Sequence, residues 1–184
     1  MVGHSSSSYE RELRSLLEGQ PDAVRGYARA LPPTERSAFE RLIEQPFLII
    51  RAAGSLGFDL VALRREFAFP LEVKASAEPV IRFSAASGRA NAQLEAHRKA
   101  VDRVGLTVLY AYRRVGLRST ENWRVFVAGE IPSSGRIGAL CRRLPPVSRT
   151  PEGNGILRWE EGRPLSEFLS HVHYLLEPAI TVGT

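Results

Sequence analysis

Phe58-Asp-Leu-Val-Ala-Leu63 and Ala68-Phe-Pro-Leu-Glu-Val-Lys74 are two short apolar runs, each broken by acid. Runs of this length with a tight connection predict neighbouring β-strands. Side chains alternate along a strand, so Glu72 and Lys74 project to one side of the second run. Phe69, Leu71 and Val73 project to the other side, where they can pack against a helix. Asp59 interrupts the first run in the same way. If the two strands pair as a hairpin, Asp59 and Glu72 converge on one cation.

Working outward, Pro46-Phe-Leu-Ile-Ile-Arg51 is a further β-type run, ended by Ala53-Gly-Ser55. With the first two it predicts a three-stranded meander, and Pro79 to Ser84 can add an extended segment. Ser87 to Val104 predicts a helix, with Ala90, Leu94, His97, Val101 and Val104 on one stripe and Gly105 ending it. Leu106–Tyr112 and Trp123–Val127 are two more strands. Before the meander, Tyr9 to Glu18 reads as a helix whose stripe is Tyr9, Leu13, Leu16 and Leu17, with Glu10 bordering it and Glu12 turned further towards solvent. Residues 21–45 read as an insertion with helical segments at about 22–31 and 34–44. Residues 1–8 are polar and Ser-rich and read as a disordered lead-in. Residues 130–155, rich in Pro, Gly and Ser, read as a loop. Pro164 opens a last helix with Leu165, Phe168, Leu169, Val172 and Leu176 inward. This predicts an α/β fold, a central mixed β-sheet flanked by helices, with its main domain at residues 9–129 and an appendage at 130–184.

At 184 residues, 43% hydrophobic and 24% charged, the chain is long enough for one domain with a proper core. No apolar run approaches the roughly 18 residues of a membrane span. Cys141 is the only cysteine, which excludes an internal disulfide and fits a reducing, cytoplasmic location. A net charge of +5 and a pI near 9.9 favour polyanionic partners. Most of the basic residues are Arg, some in doublets such as Arg113-Arg114, and Arg forks grip phosphate oxygens in pairs.

Two acids with a backbone carbonyl suit a hard divalent ion, because Mg²⁺ takes one or two carboxylates and keeps several waters. Such an ion polarises a scissile phosphate, and a lysine beside it orients water or stabilises growing charge. The triplet Glu-x-Lys has little weight alone. A chain one-quarter charged produces about one such triplet by chance, and an exposed ion pair on a strand needs no chemistry. An acid in the preceding strand gives the pattern its meaning.

Taken in order, Glu10-Arg-Glu-Leu13, Arg51-Ala-Ala-Gly-Ser55, Phe58-Asp-Leu-Val61 and Leu71-Glu-Val-Lys74 resemble the motifs of the archaeal Holliday junction resolvases. That family belongs to the PD-(D/E)XK nucleases, and the resemblance covers about residues 9–129 with the 21–45 insertion between. It implies a restriction-endonuclease-like core, with Asp59 and Glu72 as metal-binding acids, Lys74 as the catalytic lysine and Glu10, the helix glutamate, as a further catalytic and metal-binding acid. It also implies a metal-facing Val73 carbonyl, Ser55 at the scissile phosphate, and DNA contacts from Arg11, Arg51, Ser55, Arg82 and Arg89. Mg²⁺, with Mn²⁺ substituting, a homodimer, nucleoid association and paired cuts in a four-way junction follow from the same resemblance. The long insertion and the apolar Leu56-Gly57 depart from the family pattern and bear on substrate choice.

Two other functions fit the residues: a restriction- or repair-type nuclease on duplex, flap or single-stranded DNA, and a junction-binding module without turnover. A pure binding module has no use for acids that repel phosphate. His97 lies on an apolar stripe and reads as a core or interface residue. His171 and His173 read as surface, and Tyr112 and Trp123 as packing residues.

Overall fold

The computed structural model describes residues 6–52, 57–83, 89–102, 104–117 and 120–177. The helices are α1 (Ser6–Leu17), α2 (Pro21–Ala28), α3 (Pro33–Glu44), α4 (Arg89–Asp102), α5 (Gly135–Cys141) and α6 (Leu165–Leu176). The strands are β1 (Leu48–Arg51), β2 (Leu60–Arg64), β3 (Phe67–Ser76), β4 (Val80–Arg82), β5 (Val108–Arg114), β6 (Trp123–Ala128), β7 (Ser148–Arg149), β8 (Gly155–Arg158) and β9 (Arg163–Pro164). One sheet runs β1-β2-β3-β5-β6-β9 and a smaller one β4-β8-β7. Within the large sheet β3 and β5 are parallel and all other pairs antiparallel. The sheet is mixed and helices flank it, as expected for this α/β fold.

The sheet separates two apolar cores. On one side Phe67, Phe69, Leu71 and Val73 of β3 pack with Leu13, Leu16 and Leu17 of α1, Phe39 and Leu42 of α3, and Leu169 and Val172 of α6. On the other side Tyr110, Tyr112 and Phe126 meet Leu94 and Val101 of α4, with Phe83, Leu157 and Trp159 from around the small sheet. Truncating one of these fully buried side chains to Ala costs about 2–5 kcal/mol. The period-2 alternation of β3 therefore puts Leu71 and Val73 in the first core. It turns Glu72 towards α4.

The β2–β3 hairpin closes through Arg65 and Glu66. Arg65 has a φ of 52°, a left-handed conformation that favours glycine in such turns. Its guanidinium donates to the Leu176 carbonyl at 2.7 Å, so the end of α6 holds the turn.

Several expectations need correction. Ser6–Ser8, assigned to a disordered lead-in, form the first turn of α1; residues 1–5 lie outside the described residues. The expected loop at 130–155 contains α5, β7 and the first residue of β8. Two glycines, Gly135 and Gly138, lower the helix propensity of α5, yet Leu140 and Cys141 bury against the first core. His173 is not a surface residue: it is fully buried. Its Nε2 donates to the Ala38 carbonyl at 3.1 Å, and its Nδ1 accepts from Arg64 at 3.1 Å. Val104, placed on the α4 stripe, lies beyond the helix and is exposed.

The two helical segments expected in 21–45 are α2 and α3. Gly19, with φ +66°, turns the chain from α1 into them; a Cβ there would lie 2.0 Å from the Leu42 carbonyl oxygen. Tyr27 of α2 donates to Asn122 Oδ1 at 3.0 Å. Phe39 and Leu42 belong to the first core, so the insertion is packed in.

Candidate active site

The hairpin brings Asp59 beside Glu72. The β2–β3 register ends at Leu60↔Leu71, and Asp59, one residue earlier, makes two bonds of its own to β3. Its N–H donates to the Leu71 carbonyl at 3.1 Å, and its Oδ2 accepts the Val73 N–H at 2.7 Å. Asp59 is thereby held between Leu71 and Val73, alongside the intervening Glu72.

Glu72 is 2% exposed. Its Oε1 accepts from Lys74 Nζ at 2.5 Å. Its Oε2 is buried and has no hydrogen-bond partner among the described residues. Such an orphan carboxylate oxygen is costly in a dry interior, and it is the site's most telling atom. His97 Nε2 lies 4.0 Å from it. Burial lowers the His97 pKa, so the ring is neutral near pH 7 and the contact is not an ion pair.

Both carboxyl groups are displaced from their ordinary values. Burial raises Asp59 above the usual carboxylate range, opposed by the Val73 amide and Lys74, with Glu10 adding to the rise. Burial pushes Glu72 up to about 7; Asp59 raises it further, and Lys74 and Gln93 pull it back. Two neighbouring acids displaced upwards chiefly by burial stand where a bound cation would relieve both.

Glu10, of the sequence-predicted set, lies on α1 and pairs with Arg51 of β1 at 2.8 Å. Glu12, read as turned to solvent, is instead half-buried and accepts from Arg113 Nε at 2.9 Å and Trp123 Nε1 at 3.0 Å. It is a structural anchor, which leaves Glu10 as the α1 acid on the Asp59 side. Among the described residues no three His, Cys, Asp or Glu side chains gather into a metal-binding group. A metal here would rest on Asp59 and Glu72 with the Val73 carbonyl, a donor set within the range Mg²⁺ accepts.

The expected DNA contacts are scattered. Arg51 and Arg11 are exposed, and Arg11 Nε bonds Ser7 O within α1 at 3.2 Å. Arg82 is exposed at the end of β4 in the small sheet. Arg89 begins α4, and its side chain lies outside the described residues, as does Ser55. Two roomy clefts, of about 500 and 570 Å³, lie between α3 and α6 and between α1 and α2. Neither is lined by Asp59, Glu72 or Lys74.

Sequence reading missed two contributors on α4. Gln93 donates to the Gly57 carbonyl at 3.1 Å, and its Oε1 lies 3.3 Å from Lys74 Nζ. His97, expected in a packing role, also bonds Gly57 O at 2.7 Å. The only signal in the sequence was their spacing of four, which stacks polar groups on one helix face.

No protein-family model matches the chain, and no curated protein does. Among solved structures it is similar to the Holliday junction resolvase Hjc of Archaeoglobus fulgidus. The likeness covers 74% of this chain and 93% of that one, at 21% identity and a TM-score of 0.46. At that score it decides neither fold nor chemistry.

Proposed function

We propose that the chain is a divalent-metal-dependent DNA endonuclease, with Asp59, Glu72 and Lys74 as its catalytic centre. The observation that carries this reading is the buried Glu72 Oε2, without a hydrogen-bond partner among the described residues, next to a second acid and a lysine. The upward displacement of both carboxyl groups supports the same reading, because a bound cation would relieve both.

Asp59, Glu72 and the Val73 carbonyl would hold Mg²⁺, or Mn²⁺ in its place. Bound there, the ion would supply charge neutralisation and polarisation of the scissile phosphate. Lys74, held at 2.5 Å from Glu72, presents its ammonium from the same strand face and stabilises negative charge developing on the phosphate oxygens. The Val73 amide fixes the orientation of Asp59. Glu10, near enough to raise Asp59, adds a peripheral acid that Arg51 balances.

Branched DNA is the favoured substrate, in keeping with the order of motifs from Glu10 to Lys74. Paired symmetric cuts in opposite strands require two sites related by a two-fold axis, hence a homodimer, in the cytoplasm at the nucleoid. Among the described residues no helix is long and apolar enough to cross a membrane.

The test is incubation of labelled four-way junction, linear duplex and flap DNA with the protein, in Mg²⁺ or in EDTA. Paired symmetric nicks in the junction that need Mg²⁺ are expected. Equal cutting of linear duplex would replace the junction with a restriction- or repair-type substrate. Binding without product in Mg²⁺ and Mn²⁺ would overturn the nuclease reading.

A further inference from the structure

Gln93 and His97 stand one turn apart on α4, and both bond the same backbone oxygen. Gln93 Nε2 donates to Gly57 O at 3.1 Å, and His97 Nε2 lies 2.7 Å from it. A carbonyl only accepts, so His97 carries its hydrogen on Nε2. Nδ1 must then accept, and Tyr110 Oη donates to it at 3.0 Å. The His97 ring also lies against Phe58, with centroids 4.4 Å apart. The residue after Phe58 is Asp59.

Gly57 has φ +78°, and a Cβ there would approach His97 Nε2 to 3.2 Å. The glycine thus supplies both the backbone conformation and the room for the ring to close on its carbonyl. The orientation of the Gln93 amide is fixed in the same manner. Lys74 only donates and Gly57 O only accepts, so Oε1 faces the ammonium and Nε2 the carbonyl.

We infer that Gln93 and His97 are positioning residues: together they clamp the backbone leading into Asp59, and Gln93 gives the Lys74 ammonium a second, neutral acceptor. The clamp is independent of any reaction. The role of Gln93 towards Lys74 rests on the nuclease reading above. A cation drawing on Glu72 would weaken the Lys74–Glu72 pair, and Gln93 Oε1 would keep the ammonium in place. Groups that orient the residues touching a reacting centre are commonly worth 10- to 100-fold in activity.

The test uses the full chain with Gln93→Met, which keeps length and loses both bonds, and with His97→Phe, which keeps ring volume. Residue-resolved amide exchange of metal-free protein is read at Asp59 and Val73, whose amides tie the hairpin. Both variants should exchange there roughly 3- to 10-fold faster, the worth of one hydrogen bond, with the β5–β6 amides unchanged. In steady-state cleavage with Mg²⁺, Gln93→Met should lower kcat by about 10- to 100-fold and leave KM within about twofold. Parental exchange at Asp59 and Val73 would overturn the clamp. Parental kcat in Gln93→Met would overturn its role towards Lys74. If the parent cuts no DNA, the nuclease reading fails and the exchange arm still decides the clamp. If His97→Phe does not fold, Gln93→Met alone decides it.

Discussion

Asp59 Oδ2 accepts the amide hydrogen of Val73 at 2.7 Å, standing in for a backbone acceptor from the neighbouring strand. One carboxylate therefore does two things. It completes the β2–β3 pairing where the register stops, and it is held beside Glu72.

These two roles can be separated. An Asn at this position still offers a carbonyl oxygen to Val73, whereas Ala offers nothing. Asp59→Ala should lose about 1–2 kcal/mol of stability from the unmade bond, and Asp59→Asn markedly less, as read in urea melts. Both should reduce Mg²⁺-dependent cleavage by at least about 100-fold while junction binding persists. Parental cleavage by either variant would remove Asp59 from the site.

Glu72 links stability to pH. Its carboxyl titrates at about 7 in the folded protein against 4.5 ordinarily, so the folded state binds more protons across that window. Stability from this group is therefore lost as pH rises from about 4.5 to 7. Glu72→Gln removes the effect, so in metal-free buffer the variant should gain on the parent by about 3 kcal/mol between pH 4.5 and 8. A gap independent of pH would show that Glu72 is not held in the buried state described.

His173 works in the opposite direction. Buried and neutral, with its pKa pushed down to about 4, it binds fewer protons folded than unfolded. Its share of stability is complete above about pH 6.5 and is lost as pH falls towards 4. His173→Gln should cost stability at pH 7 and progressively less towards pH 4. Chemical-denaturation curves at several pH values check this; a cost that grows on acidification would be the wrong sign.

Gly19→Ala meets the Leu42 carbonyl at a separation no Cβ tolerates, in a left-handed conformation. The chain would have to shift where α1 leads into α2. A loss of about 2–4 kcal/mol is expected in thermal melts. A neutral substitution would mean that residues 21–45 are not fixed against α1.

Much of the fold was legible because period and punctuation are local. The alternation in Ala68–Lys74 separated Glu72 and Lys74 from Leu71 and Val73, and the buried stripe of Leu165, Phe168, Leu169, Val172 and Leu176 was readable at helical spacing. The errors fall where packing overrides propensity. The glycines of α5 disguised a helix whose Leu140 and Cys141 bury in the core. His173 reads as a surface residue in the sequence because its partners, Ala38 and Arg64, are more than 100 residues away in the chain.

By itself, the sequence determined which face of β3 each side chain takes and that Asp59, Glu72 and Lys74 belong to one hairpin, because strand alternation and short connections are properties of neighbouring residues. Only the tertiary structure decided that Glu72 Oε2 is buried without a hydrogen-bond partner among the described residues, that Glu10 is tied to Arg51, and that Gln93 and His97 grip Gly57. Those facts depend on where α1, β1 and α4 dock against the sheet. Docking is set by the sum of many weak, non-local contacts that no short stretch of sequence encodes.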